Sequence, residues 1–369
     1  MKLLRIVSRI LVGIVFIFSG FVKGVDPLGT AYRIEDYFIA YGMEWAMPLA
    51  LFLSISLCML EFVLGVALVL NIRLKQLSWV LLILMSFFTL VTFYDALYAP
   101  VPDCGCFGDA IILTNWETFY KNVVLMVFVF IIFRFRKKFK SLLEIKGQNV
   151  VLFIAVIGFS WFSIYQHEHL PMIDYRDWKV GVDITPDNAA QPETYLIYQN
   201  RKTGETKEYL SPNYPWKDSV WMSEWEFVDQ RIVEQKTSQL SNLRFEDVNG
   251  DDLTEEIIYN PGFQFLLLSW DINKFPPKAV SSIRTLVEEL NDKGYPIQGL
   301  SASLFEDINV FRGKNKIKIP FYNADDIVLK TMIRANPGII LLKDGLILDK
   351  WHYNDCPTVA EIEANYSDF

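Results

Sequence analysis

Two cysteines separated by one glycine, Cys104-Gly105-Cys106, lie in the decapeptide VPDCGCFGDA at residues 101–110. Two trans peptide steps hold alpha carbons at most about 7 Å apart, and a disulfide needs roughly 4.4–6.8 Å. Gly105 permits the turn that closes the difference, so the two thiols can form a bridge. Such a bridge is a poor staple, because the benefit of a crosslink grows with the loop it closes and this loop is minimal. A tight, exposed disulfide is also readily reduced. The spacing therefore suits a cycle between dithiol and disulfide better than reinforcement. Two idle thiols, or a merely tolerated bridge, form the competing reading. Asp103 and Asp109 flank the pair and are expected to disfavour a thiolate. Against this, TNWE (Thr114 to Glu117) has the form of a capping box, which would bring a positive helix end toward the loop. Zinc needs four ligands and no histidine is close in sequence, so no metal site is expected.

Further candidates lie elsewhere. Cys58 and Glu61 are three apart in an apolar stretch and would share a helix face near mid-bilayer. Glu61 is read either as a proton-handling group or as a protonated, hydrogen-bonded structural carboxyl, and Cys58 as a small buried hydrophobe. Cys356, in NDCPT, stands near the expected start of a helix, where a thiolate would be favoured. It is a candidate exchange partner for the pair, weighed against an inert cysteine. His167 and His169 read as interfacial polar residues. DVNGDD (Asp247 to Asp252) has oxygen ligands at calcium-like spacing but lacks the distant glutamate, and reads as a turn.

The elements that must position these groups divide the chain in two. Of the 369 residues 52% are hydrophobic and the net charge is −8, which argues against nucleic acid as a partner. Five apolar stretches, near 6–24, 47–70, 77–97, 116–135 and 149–166, have the length to cross a bilayer. MKLLRIVSR followed by an apolar run looks like a signal peptide, but no small-x-small site follows, so the segment is expected to be retained. Eleven basic residues fall in the N-terminus and the 71–76 and 134–148 connections, whereas the 25–46 and 98–115 connections hold only Arg33. The N-terminus is therefore expected in the cytoplasm. An odd number of crossings then places both the cysteine loop and the acidic C-terminal half outside it, where thiols tend to be oxidised.

The segments RILVGIVFIFSGFVKGVDPLG in the first span, Glu61 in the second and PDCGCFGD before the fourth resemble the DoxX/MauE group of bacterial membrane proteins, over roughly residues 1–140. The resemblance implies a four-helix membrane bundle linked to thiol redox work. MauE-type proteins are associated with disulfide formation in a periplasmic enzyme and DoxD-type proteins with passing electrons to quinone. It thus implies Cys104 and Cys106 as the redox pair and quinone as a candidate acceptor, without establishing a quinone site.

In the second half, ETYLIYQNRKTGETKEYL reads as a β-hairpin around Lys202-Thr203-Gly204. LRFEDVNGDDLTEEI reads as strand, turn and strand, and FQFLLLSW as a buried strand. PKAVSSIRTLVEELNDKG is an amphipathic helix with Val280, Ile283, Val287 and Leu290 on one face, closed by Gly294. YPIQGLSAS is a strand, ADDIVLKTMI a helix and NPGIILLKDGLILDKWHY a hairpin. This order resembles the thioredoxin-like fold of the TlpA type over roughly 240–369, with Pro337 where that family has its cis-proline. The family's Cys-x-x-Cys is replaced by SWDINKF, so the dithiol is missing, and the same edge is left to bind extended peptide or the membrane half.

The expected fold is an α-helical membrane bundle followed by an α/β thioredoxin-like periplasmic domain. Its parts are a four-helix bundle (1–148), a fifth transmembrane helix (149–166), a connector with a β-hairpin (167–242) and the degenerate thioredoxin-like domain (243–369). The expected setting is a bacterial inner membrane, with lipid around the bundle and an envelope protein partner bound through 167–369. Two functions stand open: a thiol-redox protein, or a non-catalytic scaffold or assembly factor in which the cysteine pair is a relic. Transport is weaker, because no internal repeat is visible.

Overall fold

A computed structural model describes residues 2–141, 143–184, 193–233 and 243–366. The membrane half is helical throughout: α1 Lys2–Val25, α2 Pro27–Ala40, α3 Ala50–Leu70, α4 Leu74–Tyr98, α5 Asn115–Arg134 and α6 Ile145–Glu168. A short 3-10 turn, Glu44–Leu49, leads into α3. Together with that turn, five of these helices are long and apolar enough to cross a membrane. Large apolar side chains such as Phe52, Ile83, Leu90, Phe130 and Phe153 point outward, which in water would be prohibitive and in lipid is the expected outer face. The protein spans a membrane and contacts lipid.

The sixth helix, α2, corrects the expectation that 25–46 is only a connection. Asp26 caps it, accepting a 2.9 Å hydrogen bond from the Gly29 amide, and Pro27 fills its first position. Proline is favoured there because its missing N–H is unpaired anyway. At 14 residues α2 is too short to span, and its Arg33 meets the cysteine loop at one end of the bundle. The tightest packing is between α1 and α3. A Cβ on Gly20 would sit 2.7 Å from the Phe62 amide nitrogen, and one on Gly65 would sit 2.6 Å from that of Ile17. Small residues let membrane helices approach at this distance.

The second half contains β1 Glu193–Asn200, β2 Thr206–Leu210, α7 Ser219–Glu224, β3 Trp225–Val233, α8 Thr254–Ile258, β4 Phe263–Ser269, α9 Pro277–Lys293, β5 Ile297–Ser301, α10 Phe305–Asn315, β6 Phe321–Asn323, α11 Asp326–Met332, β7 Gly338–Lys343, β8 Leu346–His352 and α12 Val359–Asn365. The expected hairpin forms from β1 and β2, and β3 joins it to make a three-stranded sheet in the order β2-β1-β3. The larger sheet runs β6-β5-β4-β7-β8. Strand β4 is parallel to β5 and antiparallel to β7, so the apolar run FQFLLLS is central, with six of its seven residues buried. Helix α9 covers one face through Ile283, Val287 and Leu290 and ends at Gly294 in the left-handed region (φ 79°); Val280 is only partly buried. Central β4, flanking parallel β5 and the antiparallel β7–β8 hairpin give the thioredoxin-like arrangement. The Asn336–Pro337 peptide bond is cis.

Two expectations are corrected here. The second strand assigned to LTEEI is helix α8, because the Asp252 carboxylate accepts from the Thr254 amide and hydroxyl and starts a helical turn. Only a single bridge, Glu246 to Asp252, is left of the hairpin, around the expected turn at Asp247. Residues 169–184 are also more than a connector. Trp178 and Ile184 enter the core beneath the larger sheet, and Arg176 is buried.

Candidate functional site

The loop between α4 and α5 is shaped from within. Ala99, in the left-handed region (φ 44°), ends α4, with its amide donating to the Asp95 carbonyl. The Asp103 carboxylate then accepts from the Gly105 amide at 2.8 Å. Gly105 has φ +63°, and a Cβ there would meet the Arg33 side chain at 3.0 Å. Glycine is required at that position on both counts. The expected capping box opens α5, with Thr114 and Glu117 bonded reciprocally.

This turn brings Cys104 Sγ and Cys106 Sγ to 3.2 Å as free thiols, both half-buried. About 1 Å of movement separates them from bonding distance. Below them lies a cavity of about 410 Å³, lined mostly by apolar side chains together with Lys23, Tyr37, Glu61 and Lys121. The loop rests on the bundle through Phe107, 5.5 Å from Phe18 by ring centroid, with the Lys121 ammonium 4.4 Å over the same ring.

The electrostatics reverse the expectation from sequence. Asp103 is paired with Arg33 at 2.9 Å, and Asp109 with Arg334 at 3.0 Å, so neither carboxylate acts on the thiols unopposed. The Cys106 thiol is pulled down to about 6, first by the hydrogen bond from Cys104 and then by the ammonium groups of Lys121 and Lys23, which outweigh burial. Cys104 is pushed up by its hydrogen bond with Cys106 and by burial. One cysteine is thus prepared as thiolate and the other keeps its proton. Tyr37, which donates to Asp95 at 2.6 Å, stands beside Cys104 and is itself pushed up by burial.

Glu61 is buried, as its position in α3 implied, and its partner is Lys23 of α1 at 2.6 Å. Ser19 lies 2.8 Å from Glu61 Oε2 and 2.7 Å from the Cys106 carbonyl. Its single proton serves one of them at a time. A chain of contacts therefore runs from the membrane interior to the backbone of the cysteine loop. Sequence reasoning named Glu61 and missed Lys23, although a lysine inside the first span was itself a signal. It also missed Arg33, Lys121 and Arg334. Cys58 is fully buried, one turn before Glu61.

Cys356 is not brought to the pair and lines no part of the cavity beside it. It packs half-buried against the core formed by β4 and α9. The expectation of a favoured thiolate is overturned: burial, reinforced by Glu289, pushes its thiol up to about 12. Proximity to the α12 start is too weak to offset that desolvation. His169 contacts Asp355 at 2.7 Å. Among the described residues no cluster of three potential metal ligands occurs.

The C-terminal half meets the membrane half beside the cysteine loop. Trp270, in the SWDINKF stretch, sits edge-on to Tyr32 of α2 at 6.3 Å. Arg334, three residues before Pro337, reaches Asp26 at 2.8 Å and Asp109 at 3.0 Å.

With this geometry in hand, three comparisons bear on the chain. Residues 1–135 match the family described as methylamine utilisation protein MauE. No curated protein sequence matches. Among solved structures, a cysteine-to-serine mutant of Xylella fastidiosa PrxQ aligns with 36% of this chain and 90% of its own, at 15% identity and a TM-score of 0.26. The membrane half is therefore similar to MauE proteins, and the thioredoxin-like description of the other half rests on its own strand order.

Proposed function

We propose that this protein is an inner-membrane thiol–disulfide oxidoreductase whose working pair is Cys104 and Cys106. The observation that carries the reading is the pair itself: two free thiols 3.2 Å apart at the mouth of an apolar cavity, with one thiolate favoured by two lysines and the other thiol protonated. In the oxidised state a thiolate of a partner protein attacks Cys104 Sγ, and Cys106 leaves as its stabilised thiolate. A lower-pKa thiol is the better leaving group. A second partner thiolate then attacks the partner sulfur of the mixed disulfide, giving the partner's disulfide and the reduced pair. Reoxidation passes two electrons and two protons from Cys104 and Cys106 to an acceptor of the quinone class, which becomes the hydroquinone. The cavity is apolar enough for such a ring, and Lys23 and Glu61 supply its proton-exchanging wall. The soluble half, without a dithiol, holds the partner protein on the periplasmic side.

Alkylation-shift labelling in cells tests this. The pair is expected to be largely oxidised during respiration and reduced when the respiratory chain is blocked. If the double variant Cys104→Ser/Cys106→Ser leaves partner oxidation and every phenotype unchanged, the chain is a scaffold instead.

A further inference from the structure

Among the described residues of the C-terminal half, Arg334 forms an ion pair with the cysteine loop. Arg334 leaves the end of α11, its side chain 8% exposed, and donates to Asp26 at 2.8 Å and to Asp109 at 3.0 Å. A third donor of the same guanidinium is taken by the Lys330 carbonyl, and the ring of Tyr32 lies 5.3 Å away. Asp26 caps α2 and Asp109 closes the turn three residues after Cys106. One side chain therefore joins the start of α2, the cysteine loop and the loop before Pro337. A planar fork that spans two carboxylates fixes geometry in a way lysine cannot.

We infer that Arg334 is a positioning residue for the cysteine pair: from the thioredoxin-like domain it cancels the charge of Asp109 beside the loop, so that Cys106 is more reactive when that domain is docked. The inference rests on the reading of Cys104 and Cys106 as the working pair. The charged and titratable groups around Cys106 are Cys104, Asp103, Asp109 and Arg33 on or against the loop, Lys23 on α1, Tyr37 on α2, Glu61 on α3 behind Lys23, Asp95 on α4 behind Tyr37 and Lys121 on α5. From the C-terminal half Arg334 reaches this set through Asp109, which also lies 4.0 Å from Arg33.

The test is iodoacetamide alkylation of the reduced full-length protein in detergent, from pH 5 to 9, with Cys106 labelling located by peptide mass spectrometry. Arg334→Gln is expected to move the Cys106 pH midpoint upward and slow its labelling at pH 5 by roughly threefold to tenfold, since below the midpoint one pH unit corresponds to tenfold in thiolate. Arg334→Lys should recover only part of the rate. Adding Asp109→Asn to Arg334→Gln should restore the rate, because the charge to be cancelled is gone. Asp109→Asn alone should leave labelling as fast as in the parent or faster. An unchanged pH profile in Arg334→Gln overturns the inference, and so does a slow double variant, which would mean that Arg334 acts by docking alone. A slower Asp109→Asn single variant overturns it too, and that variant keeps Arg334 should Arg334→Gln fail to fold. Labelling needs neither partner nor acceptor, so its outcome stands apart from the in-cell redox cycle.

Discussion

At Cys106 burial and charge act in opposite directions, and charge wins. Desolvation alone would hold the thiol well above its ordinary value, as it does for Cys356, but a donated hydrogen bond and two ammonium groups bring Cys106 to about 6. Alkylation of reduced Cys106 is accordingly expected to rise from pH 5 and level off above about pH 7. An ordinary thiol would still be gaining reactivity through pH 9. Cys356 should label at least roughly a hundredfold more slowly at pH 7, because only the thiolate reacts and very little of Cys356 is thiolate there. Lys121→Gln should move the Cys106 midpoint upward and slow labelling at pH 6 by roughly tenfold. A stopped-flow or quench series against pH decides both, and a Cys106 profile indistinguishable from that of Cys356 would remove the basis for calling the pair asymmetric. The pair was legible from spacing alone. The sign of its electrostatics was not, because Asp103 and Asp109 are adjacent in sequence, whereas Arg33, Lys121 and Arg334, which overrule them, arrive by folding.

At the scale of elements, α1 and α3 are the frame on which the loop rests. Their approach at Gly13, Gly20 and Gly65 places Lys23 against Glu61. Gly20→Leu is expected to force these helices apart and lower the Tm in detergent, at a cost of about 3 kcal/mol or more, since overpacking a close contact against backbone has no inexpensive relief. Lys23→Met should cost about 3–5 kcal/mol, because it strands the Glu61 carboxylate, whereas Lys23→Met/Glu61→Leu should recover most of that loss. If the double variant is stable yet cannot reoxidise Cys104 and Cys106, the ion pair serves chemistry; if it cycles normally, the pair serves packing. The five long helices were legible because length and hydropathy suffice for them. Helix α2 escaped because a half-apolar helix of 14 residues produces neither signal, and only Asp26-Pro27 marked its start.

The whole molecule couples a lipid-embedded bundle to an α/β domain through buried charge. Arg334, Asp26 and Asp109 meet at one point of the contact, and Lys350, Asp174 and Arg176 join behind them, with Lys350 Nζ at 2.9 Å from Asp174. The domain is also expected to be acid-sensitive through His352. Burial, with the nearby imidazoles of His169 and His167, pushes His352 down to about 3, and its Nδ1 accepts from the Asn354 amide. Between pH of about 6.5 and about 3 the unfolded chain takes up a proton that the folded one refuses. Stability is therefore full above the unfolded value and falls as pH drops through that window. Thermal melts at about pH 7.5 and about pH 5 should show a lower Tm at the acid value, and His352→Asn should reduce the difference. An equal difference in that variant would place the sensitivity elsewhere.

Composition and periodicity by themselves determined that the chain crosses a membrane five times, that an α/β domain follows, and that two thiols stand one residue apart between the third and fourth crossings. These are local or additive properties: hydropathy sums over about 20 residues, alternation reads within one strand, and Cys-Gly-Cys is its own distance constraint. Which charges surround the thiols, and that Arg334 of the far domain pairs with Asp109 of their loop, was settled only by tertiary structure. Lys23 meets Glu61 across 38 positions of chain and Arg334 meets Asp109 across 225. The strength of such pairings depends on burial and mutual distance, neither of which is written in the order of the residues.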